Sequence, residues 1–179
     1  MSTKHILIAG FGGQGILFAG KFLAYDGLME GKQLSWLPSY GPEMRGGTAN
    51  CSVILSDEPV GSPIVDNPDI LIVMNAPSLD KYENETLSGG QIFIDSALIE
   101  RKVERTDVEA YYIPATKLAS EKGLDGLANM IILGYVIKKT GIVLQENLEK
   151  VLAKVIPEKH KDMSEANRNA LMLGYNYTE

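Results

Sequence analysis

Apolar positions change rhythm along this chain. Lys4 to Ala9 reads as a short buried strand, and Ile16 to Met29 carries apolar side chains at helical spacing, with Gly31 placed to end it. The opening is thus strand, glycine turn and helix. Leu34 to Leu37 has the make-up of a second strand, and Thr48 to Ser56, rich in β-branched residues, of a third. Glycine and proline punctuate the residues between them and no helical pattern intervenes, so these two strands are expected to pair as antiparallel neighbours.

Asp69 to Met74, following Asn67-Pro68, is an apolar run bounded by turn signals, which suits a strand covered on both faces. A helix is expected from Ser78. After Gly89-Gly90 come two further short strands, Gln91 to Ile94 and Ala110 to Ile113, the latter stopped by Pro114. From Thr116 the period becomes helical: Lys117 to Lys122, Leu127 to Lys139 ended by Gly141, Glu146 to Ile156 with Leu148, Val151, Leu152 and Val155 on one stripe, and Ser164 to Leu173. The pattern predicts an α/β chain. Its sheet is mostly parallel and open, of about six strands with an antiparallel pair, helices lie on both faces, and the C-terminal third is helical. The Leu127 to Ile137 helix is apolar nearly all round, so it is either central to the domain or pressed against another subunit.

Composition narrows the function classes. With 179 residues, 45% of them apolar and 22% charged, residues 1–179 fit one domain with its own core. A net charge of −6 leaves no basic stripe for nucleic acid. The longest strongly apolar stretch, Met130 to Ile137, is far below the roughly 20 residues of a membrane-spanning helix. Gly10 to Gly15 interrupts the first apolar run and no convincing cleavage site follows, so it reads as a strand and not as a signal peptide. Cys51 is the only cysteine, which rules out an internal disulfide and cannot supply the four thiolates of an iron–sulfur cluster. A cytoplasmic setting is expected. His5 and His160 show no metal-ligand spacing.

Gly10, Gly12 and Gly15 satisfy G-x-G-x-x-G between a strand and a helix, where bare backbone amides and the helix dipole can receive a phosphate. A nicotinamide dinucleotide enzyme would carry a carboxylate at the end of the second strand, whereas this chain reads Leu34-Ser35-Trp36-Leu37-Pro38-Ser39-Tyr40. The plainer reading is a tight turn with close helix-to-strand packing. Gln14 adds a side-chain amide able to donate and accept at the helix start, toward a ligand or a facing loop.

Between the second and third strands, Ser39-Tyr40-Gly41-Pro42-Glu43-Met44-Arg45-Gly46-Gly47 brings an aromatic ring, a carboxylate and a guanidinium together. Arg45 beside Gly46-Gly47 can offer its planar fork to a phosphate or carboxylate; the alternative is a local Glu43–Arg45 surface pair worth under about 1 kcal/mol. Asn75 follows a strand end, where open α/β sheets place ligand contacts, and equally suits a helix cap. Asn129 is either a buried polar contact to a partner or a capping group, and Asp95 and Ser96, ending another strand, are equally ambiguous. No Ser/His/Asp, Cys/His or paired-carboxylate constellation assembles.

Gly10-Phe11-Gly12-Gly13-Gln14-Gly15-Ile16 followed by Ser39 to Gly47 resembles the gamma subunit of 2-oxoacid:ferredoxin oxidoreductases. The pair of motifs is far more specific than either alone. Matches at Pro68-Asp69-Ile70-Leu71, from Asn129 to Gly134 and from Asn169 to Gly174 extend the resemblance over nearly the whole chain. It implies a complex that decarboxylates a 2-oxoacid on thiamine diphosphate with Mg²⁺, passes two electrons through 4Fe-4S clusters to ferredoxin and hands the acyl group to coenzyme A. The reaction also runs in reverse. By the same resemblance alpha and beta chains carry the thiamine and substrate sites, and a beta or delta chain carries the clusters. This chain agrees by omission, with one cysteine and no G-D-G followed by Asn-Asn.

The positions matching the family's signature are Gly12, Gly13, Gln14 and Gly15 in the first loop, and Ser39, Tyr40, Gly41, Pro42, Glu43, Arg45, Gly46 and Gly47 in the second. Both loops are expected to face a shared cleft, where the first helix N-terminus and Arg45, with Lys21, meet the phosphates of coenzyme A or a partner's polar groups. The second motif is closer to 2-oxoglutarate and branched-chain members than to pyruvate ones; indolepyruvate oxidoreductase is a further relative. Two rivals stand beside this reading: a stand-alone nucleotide- or NAD(P)-binding protein, and a purely structural assembly subunit. A subunit that waits for partners is expected to expose apolar surface and to self-associate without them.

Overall fold

The computed structural model describes residues 2–39 and 48–179. Six strands form one sheet: β1 (Lys4–Phe11), β2 (Gln33–Ser39), β3 (Thr48–Ser56), β4 (Ile70–Val73), β5 (Gln91–Asp95) and β6 (Glu109–Ile113), in the order β2-β3-β1-β4-β5-β6. Strands β1, β4, β5 and β6 pair in parallel. The expected antiparallel β2–β3 pair is present, and β3 also runs antiparallel to β1, so it is the one reversed strand of the six. Pairing with β3 carries β1 two residues beyond its predicted end, with Gly10 opposite Ala49 and Phe11 opposite Thr48.

The period of two sorts side chains onto two unequal layers. Ile6, Ile8, Cys51, Val53, Leu55, Ile70, Ile72 and Phe93 point to a large core shared with α1 (Ile16–Met29), α3 (Ala115–Glu121), α4 (Ala128–Thr140), α5 (Leu148–Val155) and α6 (Met163–Tyr175). Leu7, Ala9, Ile54, Leu71, Val73, Ile92 and Ile94 face a smaller core closed by Leu79 and Tyr82 of α2 (Ala76–Tyr82) and by Val65 and Ile99 from connecting segments. Helices therefore cover both faces, one of them thinly.

Helix ends follow local chemistry. Helix α2 begins at Ala76, two residues before its predicted start, because the Asn75 side chain caps it and Pro77 fits the first turn. Gly141 ends α4 at φ 61°, as its position predicts. The stretch expected as one helix from Glu146 divides into a 3₁₀ turn, Gln145–Asn147, and α5. The α6 helix runs to Tyr175.

The helix left open between core and interface belongs to the core: every residue from Asn129 to Ile137 is buried. It lies between the sheet and α6, and its crossing with α6 is unusually close. A Cβ on Gly134 would fall 1.9 Å from the Leu171 carbonyl oxygen, and one on Gly174 would fall 1.7 Å from that of Ile131. Backbone touches backbone there, so only glycine fits at either position.

Candidate functional site

The site starts from the turn that follows β1. Its glycines serve different ends, for Gly13, at φ 92°, faces open space, whereas Gly15, at φ 74°, is the N-cap of α1. The Gly15 carbonyl accepts a 3.0 Å hydrogen bond from Asn129 Nδ2, and a Cβ on Gly15 would sit 2.4 Å from that nitrogen. Glycine is therefore required twice over, by conformation and by contact. Among the described residues no side chain caps α1, so within them its first-turn amides stay open to other partners.

Gln14 holds this turn in place. Its Oε1 accepts from the Phe11 N–H at 2.6 Å and its Nε2 donates to the Met74 carbonyl at 3.0 Å. Parallel β1 and β4 are neighbours whose connections leave in opposite directions, which is where open α/β sheets part to form a crevice. The glutamine amide spans it. One lone pair and one N–H of the amide are thus engaged within the chain, so Gln14 ties the turn to the facing β4 end. Replacing Gln14 by Ala is expected to cost about 1–2 kcal/mol, two modest hydrogen bonds, and to speed amide exchange at Phe11. A denaturant midpoint and exchange rate equal to the parent's would contradict that role.

The other predicted site residues divide. Ser39 ends β2 opposite Asn50, and Thr48 opens β3 opposite Phe11, so the residues flanking 40–47 lie at the sheet edge that carries the glycine turn. Tyr40, Gly41, Pro42, Glu43, Arg45, Gly46 and Gly47 lie outside the described residues. Gly12 and Gly13 are exposed at the tip. Lys21 is not brought to the turn: its Nζ stands 5.8 Å from the centre of the Tyr25 ring, further along α1. Asn75 is buried, with Oδ1 accepting the Ser78 N–H at 2.9 Å, so it acts as a helix cap; its Nδ2 has no partner among the described residues. Asn129 is likewise buried, its Oδ1 without a partner among the described residues.

Beside Gly13 and Gln14 opens a cavity of about 350 Å³, walled by Met74, Leu98, Thr116, Ala119, Ser120, Asp125, Gly126 and Ala128. Under it lies Asp95, fully buried, whose carboxylate accepts from the Ala97 N–H at 3.1 Å and from the Thr116 N–H and hydroxyl at 3.1 and 2.5 Å. Burial pushes the Asp95 pKa up and the Thr116 and Ala97 bonds pull against it. The carboxylate thereby fixes the start of α3.

Nothing in the local sequence marks Leu98, Thr116, Ser120, Asp125 or Gly126 as site residues by itself. The signal available was the Gly123-Leu124-Asp125-Gly126 turn before an apolar helix, with Gly123 and Gly126 at φ 66° and 81°. Larger hollows of about 570 and 540 Å³ lie between α5 and α6 around Glu149 and Arg168 and share no lining residue with this cavity.

Redox or metal chemistry finds little support in these side chains. Burial pushes the Cys51 thiol up to about 12, against a bond from Trp36 Nε1, so it stays protonated and is unsuited to be a nucleophile or a cluster ligand. Among the described residues no group of three His, Cys, Asp or Glu is placed to hold a metal ion, and no helix is long and apolar enough to cross a membrane.

Comparison with known proteins gives a consistent picture. Residues 5–177 match the family described as pyruvate ferredoxin/flavodoxin oxidoreductase. The 2-oxoglutarate synthase subunit KorC of Methanocaldococcus jannaschii is 39% identical over 175 residues, covering 96% of this chain and 92% of that protein. The ketoisovalerate oxidoreductase subunit VorA of Methanothermobacter marburgensis is 43% identical over 133 residues; the match takes in 74% of this chain and 28% of that longer protein. Among solved structures, the 2-oxoglutarate:ferredoxin oxidoreductase of Magnetococcus marinus, with 2-oxoglutarate, coenzyme A and succinyl-CoA bound, superposes with a TM-score of 0.86 at 23% identity. That likeness covers 99% of this chain and 32% of the Magnetococcus chain, and it bears on the fold.

Proposed function

Since the chain belongs to the pyruvate ferredoxin/flavodoxin oxidoreductase family, we propose that it is the gamma subunit of a 2-oxoacid:ferredoxin oxidoreductase of the 2-oxoglutarate type, and that it forms the coenzyme A side of a cleft completed by partner chains. The complex oxidatively decarboxylates the 2-oxoacid, transfers the acyl group to coenzyme A and reduces ferredoxin. The observation that carries the reading is the junction at one sheet edge of the glycine turn with Ser39 and Thr48, the two anchors of the segment bearing Arg45. Similarity to KorC over nearly the full length of both chains favours 2-oxoglutarate as the substrate class.

Within such a complex this chain binds and orients. Gln14 and Asn129 fix the turn, α1 presents uncapped amides, and Arg45 supplies the planar cation for a phosphate. A 4Fe-4S cluster does not fit the residues described, since the only cysteine is buried and protonated, and the sequence has no G-D-G followed by Asn-Asn to hold Mg²⁺ and thiamine diphosphate. Those groups belong to the alpha, beta or delta partners. Phe11, Trp36 and Leu37, 40%, 36% and 40% exposed, leave apolar surface near the glycine turn and on the outermost strand β2 for such partners to cover.

The nicotinamide alternative loses its frame. In a dinucleotide fold a parallel strand ending in a carboxylate neighbours β1, whereas here the neighbour is antiparallel β3, and β2 ends in Ser39. Arg45→Ala in the reconstituted complex is expected to raise the KM for coenzyme A at least about tenfold, with assembly and the KM for 2-oxoglutarate little changed. An unaltered KM with assembly intact would leave the chain a structural subunit.

A further inference from the structure

We propose that the open edge of β2 pairs antiparallel with the β2 edge of a second copy of this chain, about a twofold axis at Ser35, so that the two sheets run on into one. The pairing stands or falls independently of whether this chain meets coenzyme A.

The two edges of the sheet are unlike. Strand β6 carries Glu109, and the ammonium groups of Lys102 and Lys139 lie 3.9 and 5.2 Å from the centres of its Tyr112 and Tyr111 rings. Charges so placed keep an edge strand from pairing with another chain. Strand β2, Gln33-Leu34-Ser35-Trp36-Leu37-Pro38-Ser39, has no charged residue of its own, and among the described residues it pairs with β3 alone. In a chain of net charge −6 two copies repel on approach, and an uncharged strand is where they can meet.

Register follows from the strand itself. Along β2 the N–H and C=O groups of successive residues turn alternately toward β3 and away from it. Pro38 has no N–H to give to β3, which puts it in the outward set with Leu34 and Trp36. A twofold at Ser35 lays Leu34 of each copy opposite Trp36 of the other, where the two exchange N–H and C=O, and lays Gln33 opposite Leu37. Like charges never face each other in this register, and the residue on the axis is small. Trp36 is already held for the contact: its Nε1 donates to Cys51 Sγ at 3.1 Å, and α1 passes so close that a Cβ on Gly20 would lie 3.2 Å from that nitrogen. An aromatic ring beside an aliphatic side chain is a favourable cross-strand pair, and a ring fixed beforehand loses little freedom on docking. Pairing takes the backbone edge of β2 and leaves the Phe11 end of the sheet to the other chains of the complex.

Cysteine placement tests partner and register together, in the complex assembled with its partner chains and in the full chain alone, under oxidation with diamide. Cys51 is fully buried and takes no part. In the non-hydrogen-bonded pair on the axis the two Ser35 Cα atoms stand about 4.5 Å apart, within disulfide range. Ser35→Cys is therefore expected to convert most of this chain in the assembled complex to a covalent dimer of itself on a denaturing gel. Gln33→Cys, whose two copies lie about 14 Å apart along the strands, is expected to give none, and adding Leu37→Cys to it is expected to restore the dimer. No dimer from Ser35→Cys, as much from Gln33→Cys as from Ser35→Cys, or a silent double variant would each overturn the proposal. A Ser35→Cys dimer that forms in the chain alone and is lost in the complex would show that a strand of another subunit takes this edge, and would overturn the second copy as its occupant.

Discussion

Gly174→Ala is expected to unfold at a clearly lower urea concentration than the parent chain, with a loss of about 3 kcal/mol or more. The added methyl would lie 1.7 Å from the Ile131 carbonyl oxygen, a rigid helix backbone and not the tip of a flexible side chain. To admit it, α4 and α6 must separate, and the buried stripe from Met130 to Ile137 loses contact along the crossing. Gly134→Ala, with its methyl 1.9 Å from the Leu171 carbonyl oxygen, is expected to behave alike. The double variant should cost less than the sum, because one substitution has already moved the helices apart. A midpoint within experimental scatter of the parent for both single variants would show that the crossing is looser than described.

Asp26 gives the second large effect, through pH. It lies on α1 wholly buried, and among the described residues neither oxygen has a hydrogen-bond partner of ordinary geometry. Burial first, then the negative charge of Glu30 one turn on, push its pKa from 3.8 up to about 7, while the Asn147 side chain pulls slightly the other way. In the unfolded chain the carboxyl ionises near its ordinary value. The folded state therefore holds a proton that the unfolded state has released, and this group's contribution is intact below about pH 4 and lost as pH rises through 7. A shift of that size corresponds to roughly 4 kcal/mol between the two limits. Asp26→Asn is expected to remove this dependence, so that parent and variant diverge steadily between pH 4 and 7 in denaturant unfolding, the variant being the more stable at pH 8. A difference independent of pH would mean that Asp26 is ionised in the fold.

Much of the sheet was legible because short range decides it. Short runs of aliphatic and aromatic residues between turn signals marked every strand to within a few residues, and helical spacing marked α1, α4 and α6. The placement of β3 beside β1 was not legible, since a hairpin pattern pairs β2 with β3 and says nothing about which strand lies on β3's other edge. At the site, the glycine turn could be read from its spacing, but the use of Gln14 depends on Met74, a residue 60 positions away. Asn75 could be read either way from sequence, and the cap its Oδ1 makes with the Ser78 N–H shows only in the fold. The Asp125 turn carried only glycines flanking a short polar stretch, a signature common to many surface loops, and its place over the strand ends follows from how α3 and α4 fold back.

Strand β1 also governs the order in which the sheet can be completed. Ile6 pairs with Val53 on one edge and with Ile70 on the other, so within the sheet the β2–β3 ribbon and the parallel half are hydrogen-bonded only through this strand. The ribbon needs little loop closure to form, whereas β1 must wait for two distant segments before either edge is satisfied. Made before both of its partners, β1 is thus among the last of these strands to be fully bonded, and until then it is an apolar ribbon with two open edges, the state in which a nascent chain of this kind most needs shielding from its neighbours.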